Sequence, residues 1–239
     1  MEIPWPFGKR RTLVEAGFFR GFTDWHSHIL PGVDDGVRTM PEALEILRRY
    51  EELGVRSVWL TPHIMEDIPN ETSALRERFK ALQAAYAGPV ELHLAAENML
   101  DTLFEERLER NDLLPLGEKG DHLLVETSYF NPPMDLYGIL ERIKASGYHP
   151  LLAHPERYVY MSDRDYRKLK ALGIKFQLDL FSLGDRYGKR AKDKARLMLQ
   201  NDLYDIAGSD LHRVDHIRGF WHIPVPARSS RFSSSSSLL

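Results

Sequence analysis

The chain contains no cysteine, which excludes disulfides, thiolate metal ligands and cysteine nucleophiles together. A reducing compartment agrees with that absence. No apolar run approaches the roughly 18 residues needed to span a bilayer. The opening MEIPWPFGKRR lacks the apolar core of a secretory signal. A cytoplasmic enzyme with no transmembrane segment is therefore expected, its basic, aromatic start leaving room for a peripheral membrane contact. An excess of basic charge is also missing: 32 Lys and Arg face 35 Asp and Glu, for a net charge of −3. No nucleic-acid partner is expected on that balance. Three common catalytic signatures are absent as well: the GxxxxGK[ST] phosphate loop, the GxSxG elbow, and a GxGxxG turn after the first strand.

At 239 residues, 43% of them hydrophobic, the chain can bury the core of a single α/β barrel domain. Short β-branched or apolar runs at 22–28, 57–61, 91–97, 122–126, 150–154, 175–180 and 204–209 read as strands. Amphipathic patterns at 41–53, 72–86, 102–110, 136–146, 163–172 and 188–200 read as helices. Thr39 and Glu42 are placed for a capping box, and Gly54 and Gly173 for helix C-caps. Such alternation predicts a parallel sheet. Nearly every strand ends in a residue able to bind metal, and barrels gather their chemistry at that rim from several strands at once. An open sheet offers only a crevice at its switch point, so a barrel is expected. Residues 1–21 are expected to form an extension, 22–220 the barrel domain, and 221–239 a low-complexity tail ending SSRFSSSSSLL.

Four motifs carry the chemistry. Asp24-Trp25-His26-Ser27-His28 leads into Ile29-Leu30-Pro31-Gly32-Val33-Asp34-Asp35-Gly36. Residues two apart on a strand share a face, so His26 and His28 can hold one ion. The following turns can return an aspartate to the strand end. A pair of surface histidines is the bland alternative, yet a strand that buries two imidazoles must satisfy them. Thr61-Pro62-His63 puts a third histidine just past a strand. Glu97 and Glu126 end apolar strands, where a carboxylate must be paired, neutralised or metal-bound. Ala153-His154-Pro155-Glu156-Arg157-Tyr158 adds His154 and a guanidinium able to grip phosphate; a surface pair of Arg157 with Glu156 or Asp163 is its bland reading. Gly208-Ser209-Asp210-Leu211-His212 adds an aspartate and a histidine. His93, His122 and His149 read as core or surface, and Tyr129-Phe130 as packing or the lining of a substrate mouth.

Five histidines and several carboxylates exceed what one ion can use, so two or three ions sharing a carboxylate are implied. Such a cluster suits phosphoester hydrolysis, where bound water becomes hydroxide and the ions stabilise attacking and leaving oxygens. Sulfur-free N/O ligands favour Mn²⁺, Fe or Zn²⁺.

These motifs, in this order, resemble the PHP (polymerase and histidinol phosphatase) superfamily, and more narrowly its bacterial capsule-type tyrosine phosphatase branch. The resemblance covers residues 22–213. It implies a distorted (β/α)7 barrel holding three ions, usually manganese. One ion would take His26, His28, Glu97 and Asp210. A second would share Glu97 and add Glu126 and His154, and the third would take Asp35, His63 and His212. Arg157 would bind the phosphate, with Asp210 and His212 beside it as the other candidate catalytic residues. The implied substrate is the phosphotyrosine tail of a cognate bacterial tyrosine kinase controlling capsule or exopolysaccharide synthesis, which would bring the enzyme to the inner face of the membrane. The implied attack is by a metal-bound hydroxide without a phospho-enzyme, in keeping with the missing cysteine. A homo-oligomer is compatible with the sequence. The chain departs from the branch at Ile64, where a second histidine is usual, and at Asp179, where Gln-x-Asn becomes Gln177-Leu178-Asp179; its serine-rich end replaces a closing segment. A small-molecule phosphatase of histidinol-phosphate type and a catalytically silent metal-binding partner of an export complex are the alternatives.

Overall fold

A computed structural model describes residues 11–225. Nine strands, all parallel to their neighbours, are wrapped by six α-helices. They are β1 Thr23–Ser27, β2 Ser57–Leu60, β3 His63–Ile64, β4 Glu91–Leu94, β5 Glu97–Met99, β6 His122–Glu126, β7 His149–Leu152, β8 Lys175–Asp179 and β9 Ile206–Gly208. The helices are α1 Met40–Leu53, α2 Thr72–Ala85, α3 Thr102–Arg110, α4 Leu136–Ala145, α5 Asp163–Ala171 and α6 Gly188–Gln200. None of them is long and apolar enough to cross a membrane.

The strands form two ladders, β1-β2-β4 and β3-β5-β6-β7-β8-β9. The run expected as one strand at 91–97 is bent in its middle, and the run expected at 57–61 continues past a bend into a further short strand. After Leu60 the backbone N–H of Thr61 still reaches Ser27 O at 2.8 Å, but Pro62 has no N–H to continue the ladder. The chain then changes partner, and His63 pairs with Glu97. The parallel break at Ala95-Ala96 lets β4 and β5 follow the same bend. Each ladder therefore curls, and the first strand comes to lie beside the last. Asp210 N–H donates to His26 O at 2.8 Å and His28 N–H to Leu211 O at 2.9 Å. Gly208 permits this approach, since a Cβ there would sit 2.5 Å from the Cβ of His26.

Inside the curl, Trp25 and Trp59 stack at 5.8 Å among Ala95, Leu124, Leu151 and Ile206. A larger apolar layer separates the sheet from the helices. Both expected helix signals are formed. Thr39 and Glu42 close a capping box on α1, and Gly54 ends it at φ +81° in the left-handed conformation that glycine adopts without a Cβ penalty. Each cap of this kind contributes about 1 kcal/mol.

The expected divisions at 21 and 220 both fall within packed structure. Residues 11–21 lie outside the sheet, yet Leu13, Phe18 and Phe19 are buried. Phe19 meets Phe220 at 4.6 Å, and Phe220 stacks on Phe181 at 5.1 Å. Thr12 pairs with Pro224, and Leu13 N–H donates to Ile223 O at 2.9 Å. Apolar burial thus stitches the two ends of the described chain into one seam. The serine-rich stretch expected to remain unpacked lies, from residue 226 on, outside the described residues.

Candidate metal centre

The residues singled out from sequence meet at the C-terminal rim of the sheet. His26 is on β1, and His28, Thr61, His154, Asp210 and His212 lie one to four residues past strand ends. Glu126 ends β6, whereas Glu97 and His63 open the second halves of the two bent strands. The bends therefore carry those two side chains inward to the cluster. The β1–β2 register also slips between Asp24 and Ser27, the kind of bulge that re-aims side chains at a rim.

His26 Nε2 lies 3.1 Å from His28 Nε2 and 3.1 Å from Glu97 Oε2. Asp210 Oδ1 is 3.4 Å from His26 Nε2 and 3.2 Å from His28 Nε2. Glu97 Oε2 is also 3.2 Å from His63 Nδ1, which is 3.0 Å from Glu126 Oε1. His154 Nε2 approaches Glu97 Oε1 at 3.0 Å and Glu126 Oε2 at 4.0 Å. Asp35 Oδ1 stands 3.6 Å from both His63 Nε2 and His212 Nε2. Three donor groups result: His26, His28, Glu97 and Asp210; His63, Glu97 and Glu126; and His28, Asp35, His63 and His212. All these side chains are buried except Asp35, at 65% exposure, and His212, at 20%.

Whether cations fit can be tested on the hydrogen-bond inventory. His26 Nδ1 donates to Gln177 Oε1 at 3.0 Å, His28 Nδ1 to Asp34 Oδ2 at 2.8 Å, and His212 Nδ1 to the Asp210 carbonyl at 2.8 Å. With each Nδ1 proton so used, the three Nε2 atoms present lone pairs to the cluster. Glu97 Oε2, Glu126 Oε1 and His63 Nδ1 are buried with no hydrogen-bond partner. Lone pairs therefore face carboxylate oxygens, an arrangement costly without positive charge between them. Donors about 2.1 Å from one ion stand about 3.0–3.4 Å apart in octahedral or tetrahedral geometry. The spacings of the innermost group match that range. The donor set fits cations.

The same crowding governs protonation when no ion is bound. Burial opposes a proton on His26, but the charges of Glu97 and Asp210 outweigh it and hold its pKa at about 9. His28 is likewise raised, against the cost of burial, by Asp34. Glu97 and Asp210 are held well below the usual carboxylate range: burial opposes this, but the neighbouring histidines prevail.

Two candidate donors sit on left-handed backbone, His154 at φ +32° and Asp210 at φ +49°. Such positions cost about 1 kcal/mol or more each in residues other than glycine and concentrate at functional sites. Gly36 is required for another reason. A Cβ there would meet the His28 carbonyl oxygen at 2.3 Å, so only glycine lets the loop fold its aspartates back onto the strand end.

Arg157 takes neither surface pairing with Glu156 nor with Asp163. Glu156 is buried beneath it, accepting from Asp179 N–H at 3.0 Å and Tyr204 Oη at 2.9 Å. The guanidinium, 14% exposed, donates to Asp210 Oδ2 and to Tyr129 Oη, and lies 3.6 Å from Asp179 Oδ2. It lies 4.5 Å from the ring centroid of Tyr129 and 4.1 Å from that of Tyr187. Asp179 is thus beside Arg157; burial, and then Asp210, push its carboxyl well up.

Several supporting residues escaped the sequence reading. Asp34 orients His28 and accepts His63 N–H at 3.1 Å, leaving its neighbour Asp35 to face the cluster. Gln177 holds His26 and also accepts His154 N–H at 3.1 Å. Asp24 ties β1 to the last strand through Ser209 N–H at 2.7 Å and Tyr50 Oη at 2.6 Å. The signal for Gln177 and Asp24 was a polar side chain inside an apolar strand, and Asp34 stood in a loop with no such signal. Among the other histidines, His93 stacks on Trp59 at 4.7 Å and His122 pairs with Asp121 at 2.6 Å, both outside the three donor groups.

Residues 22–219 match the family model described as capsular polysaccharide synthesis, CpsB/CapC. The chain is 28% identical over 202 residues to the tyrosine-protein phosphatase YwqE of Bacillus subtilis, covering 80% of this chain and 77% of that one. It is 29% identical over 208 residues to the tyrosine-protein phosphatase CpsB of Streptococcus pneumoniae, covering 80% and 83%. Its fold resembles a crystal structure from work on those same two proteins, described there as unique metal-dependent tyrosine phosphatases. That likeness has a TM-score of 0.69 at 24% identity over 90% of this chain and 88% of the other.

Proposed function

The chain belongs to the CpsB/CapC family, and from that premise we propose that it is a metal-dependent protein tyrosine phosphatase, a phosphoric monoester hydrolase. The observation that carries the reading is Glu97 Oε2, buried without a hydrogen-bond partner and within 3.2 Å of three imidazole nitrogens. The curled parallel sheet is read as a distorted (β/α)7 barrel of PHP type, with the phosphatase domain spanning residues 22–220. His26, His28, Glu97 and Asp210 hold one ion, Glu97, Glu126 and His154 a second with His63 beside them, and Asp35, His63 and His212 a third. Manganese is the first candidate, and Fe or Zn²⁺ suits the same donors. Such ions supply Lewis acidity and lower the pKa of bound water.

The chain's own residues do the rest. Asp34, Gln177 and the Asp210 carbonyl fix three histidine tautomers, so that each donor atom is set before substrate arrives. Arg157 lies against two tyrosine rings and offers its planar fork at the edge of the cluster, where it can take phosphate oxygens and offset developing charge. Asp210 shares its two oxygens between that guanidinium and the histidine pair, tying phosphate recognition to the ions. The natural substrate is proposed to be the phosphotyrosine tail of a bacterial tyrosine kinase acting in capsule synthesis, met at the cytoplasmic face of the membrane.

The test is hydrolysis of p-nitrophenyl phosphate and of a phosphotyrosine peptide by the wild type and His26→Ala, with and without Mn²⁺. Metal-dependent turnover of both, lost in the variant, is expected. Turnover of histidinol phosphate in preference to the peptide would overturn the substrate assignment. No aryl phosphate turnover with Mn²⁺, Fe²⁺ or Zn²⁺ would overturn the enzyme itself.

A further inference from the structure

A groove of about 880 Å³ opens beside the cluster, between α1 and the 3₁₀ helix Val214–His222. One end is formed by Asp35 and His212, the most exposed donors of the metal centre. Glu42, Glu45 and Arg49 recur along one face of α1 and form one wall. Seven helical residues rise about 10 Å, enough to follow about three residues of extended chain. A tyrosine phosphate seated on the ions carries its own backbone out to the mouth, where some surface must receive the flanking polypeptide. This groove shares Asp35 and His212 with the cluster and so opens directly from it.

Its charges say what it would favour. Most are already paired: Arg49 with Glu45 and Glu52, Arg213 with Asp215, and Glu42 with the cap of α1. Arg38 and Arg218, both exposed on the groove wall, form no ion pair within 4 Å among the described residues, although Arg38 lies beside the Glu42 carboxylate that its own N–H reaches at 3.2 Å. Trp221, 44% exposed, adds an apolar face beside them, and such an indole covers peptide backbone and side-chain stems alike. We infer that this groove seats the polypeptide flanking the phosphotyrosine and selects acidic residues there through Arg38 and Arg218. The inference rests on the phosphatase reading above and adds to it a sequence preference.

The experiment uses two fluorescently labelled phosphotyrosine peptides, identical except for three flanking residues that are Glu in one and Lys in the other. For the Mn²⁺-loaded full chain, kcat/KM for each is measured, and binding is followed by anisotropy. Two exposed ion pairs are worth at most about 1 kcal/mol each, so a preference for the acidic peptide of about tenfold is expected. In Arg38→Glu/Arg218→Glu the preference should invert. Because the readout is a ratio within each protein, a general loss of activity in the variant does not obscure it. Absence of preference in the wild type, or the same preference in the variant, overturns the inference. Failure of the wild type on p-nitrophenyl phosphate would instead sink the phosphatase reading, while the anisotropy ratio still decides whether the groove discriminates by charge.

Discussion

The rim and the seam of this molecule are built on opposite principles. At the rim, five histidines, four carboxylates and a guanidinium crowd together, with unpartnered polar atoms and left-handed backbone at His154 and Asp210. At the seam, Phe18, Phe19, Phe22 and Phe220 join the start of the described chain to its end by apolar contact, beside a backbone hydrogen bond from Leu13 to Ile223. The seam is where stability is gained; the rim is where it is spent on a preset constellation. Substitutions should therefore separate cleanly, those at the rim changing ion binding and turnover, those at the seam changing only the fraction folded.

The largest effect tests the rim. Glu97→Gln removes the carboxylate common to two donor groups, and turnover of an aryl phosphate should fall by about a thousandfold. Thermal unfolding of the metal-free protein should move by no more than a few degrees, as expected of about 1 kcal/mol in a domain of this size. Joint loss of activity and folding would erase the contrast. The counterpart at the seam is Phe19→Ala, which should destabilise by about 3–5 kcal/mol in urea titration, as for other buried aromatic deletions. Turnover per folded molecule should stay at the wild-type value; a drop in it would show the seam reaching into the site.

Asp34→Asn probes a residue that touches the cluster only through His28. Manganese affinity measured by calorimetry should weaken by about 10–100-fold, the usual cost of losing an outer partner, with kcat at saturating metal less affected. The last test, whose effect is smallest when read per unit, is pH. His26 has a folded pKa of about 9, above its unfolded value of 6.5, so protonation stabilises the metal-free fold. That stability is fully present below pH 6.5 and is lost as pH rises through about 9. Metal and proton compete for the same Nε2, so manganese affinity should climb by about tenfold per unit toward pH 9 for each proton displaced. A flat affinity profile from pH 6.5 to 9 would detach His26 from ion binding.

Much of this was legible in the sequence, and the rest was hidden for identifiable reasons. Strand and helix positions followed from periodicity and caps, because the apolar layers on both faces of the sheet impose their spacing on it. Donors at strand ends were visible because a carboxylate closing an apolar strand, as in Glu126, stands out against its neighbours. The break at Ala95 inside the expected 91–97 strand and the short strand beyond Pro62 were not visible, since both depend on a change of partner. Nor could adjacent aspartates be told apart: Asp34 orients an imidazole while Asp35 faces the cluster, a division made by one turn at Gly36. Arg157 was expected to face phosphate, but its tyrosine neighbours were hidden because they come from positions 129 and 187. The contact between Phe19 and Phe220 was equally beyond a local reading, its partners lying near opposite ends of the described chain.

The hydrogen bonds from Asp210 to His26 and from His28 to Leu211 also set a timetable. One cage draws its ligands from both ends of the domain, so nothing resembling it can exist until translation has passed residue 212. A chain released before residue 210 lacks two of the groups that complete the cage, whatever apolar surface it buries. Long-range closure of this kind folds slowly, and the cage is assembled only after the elements on either side of it have packed.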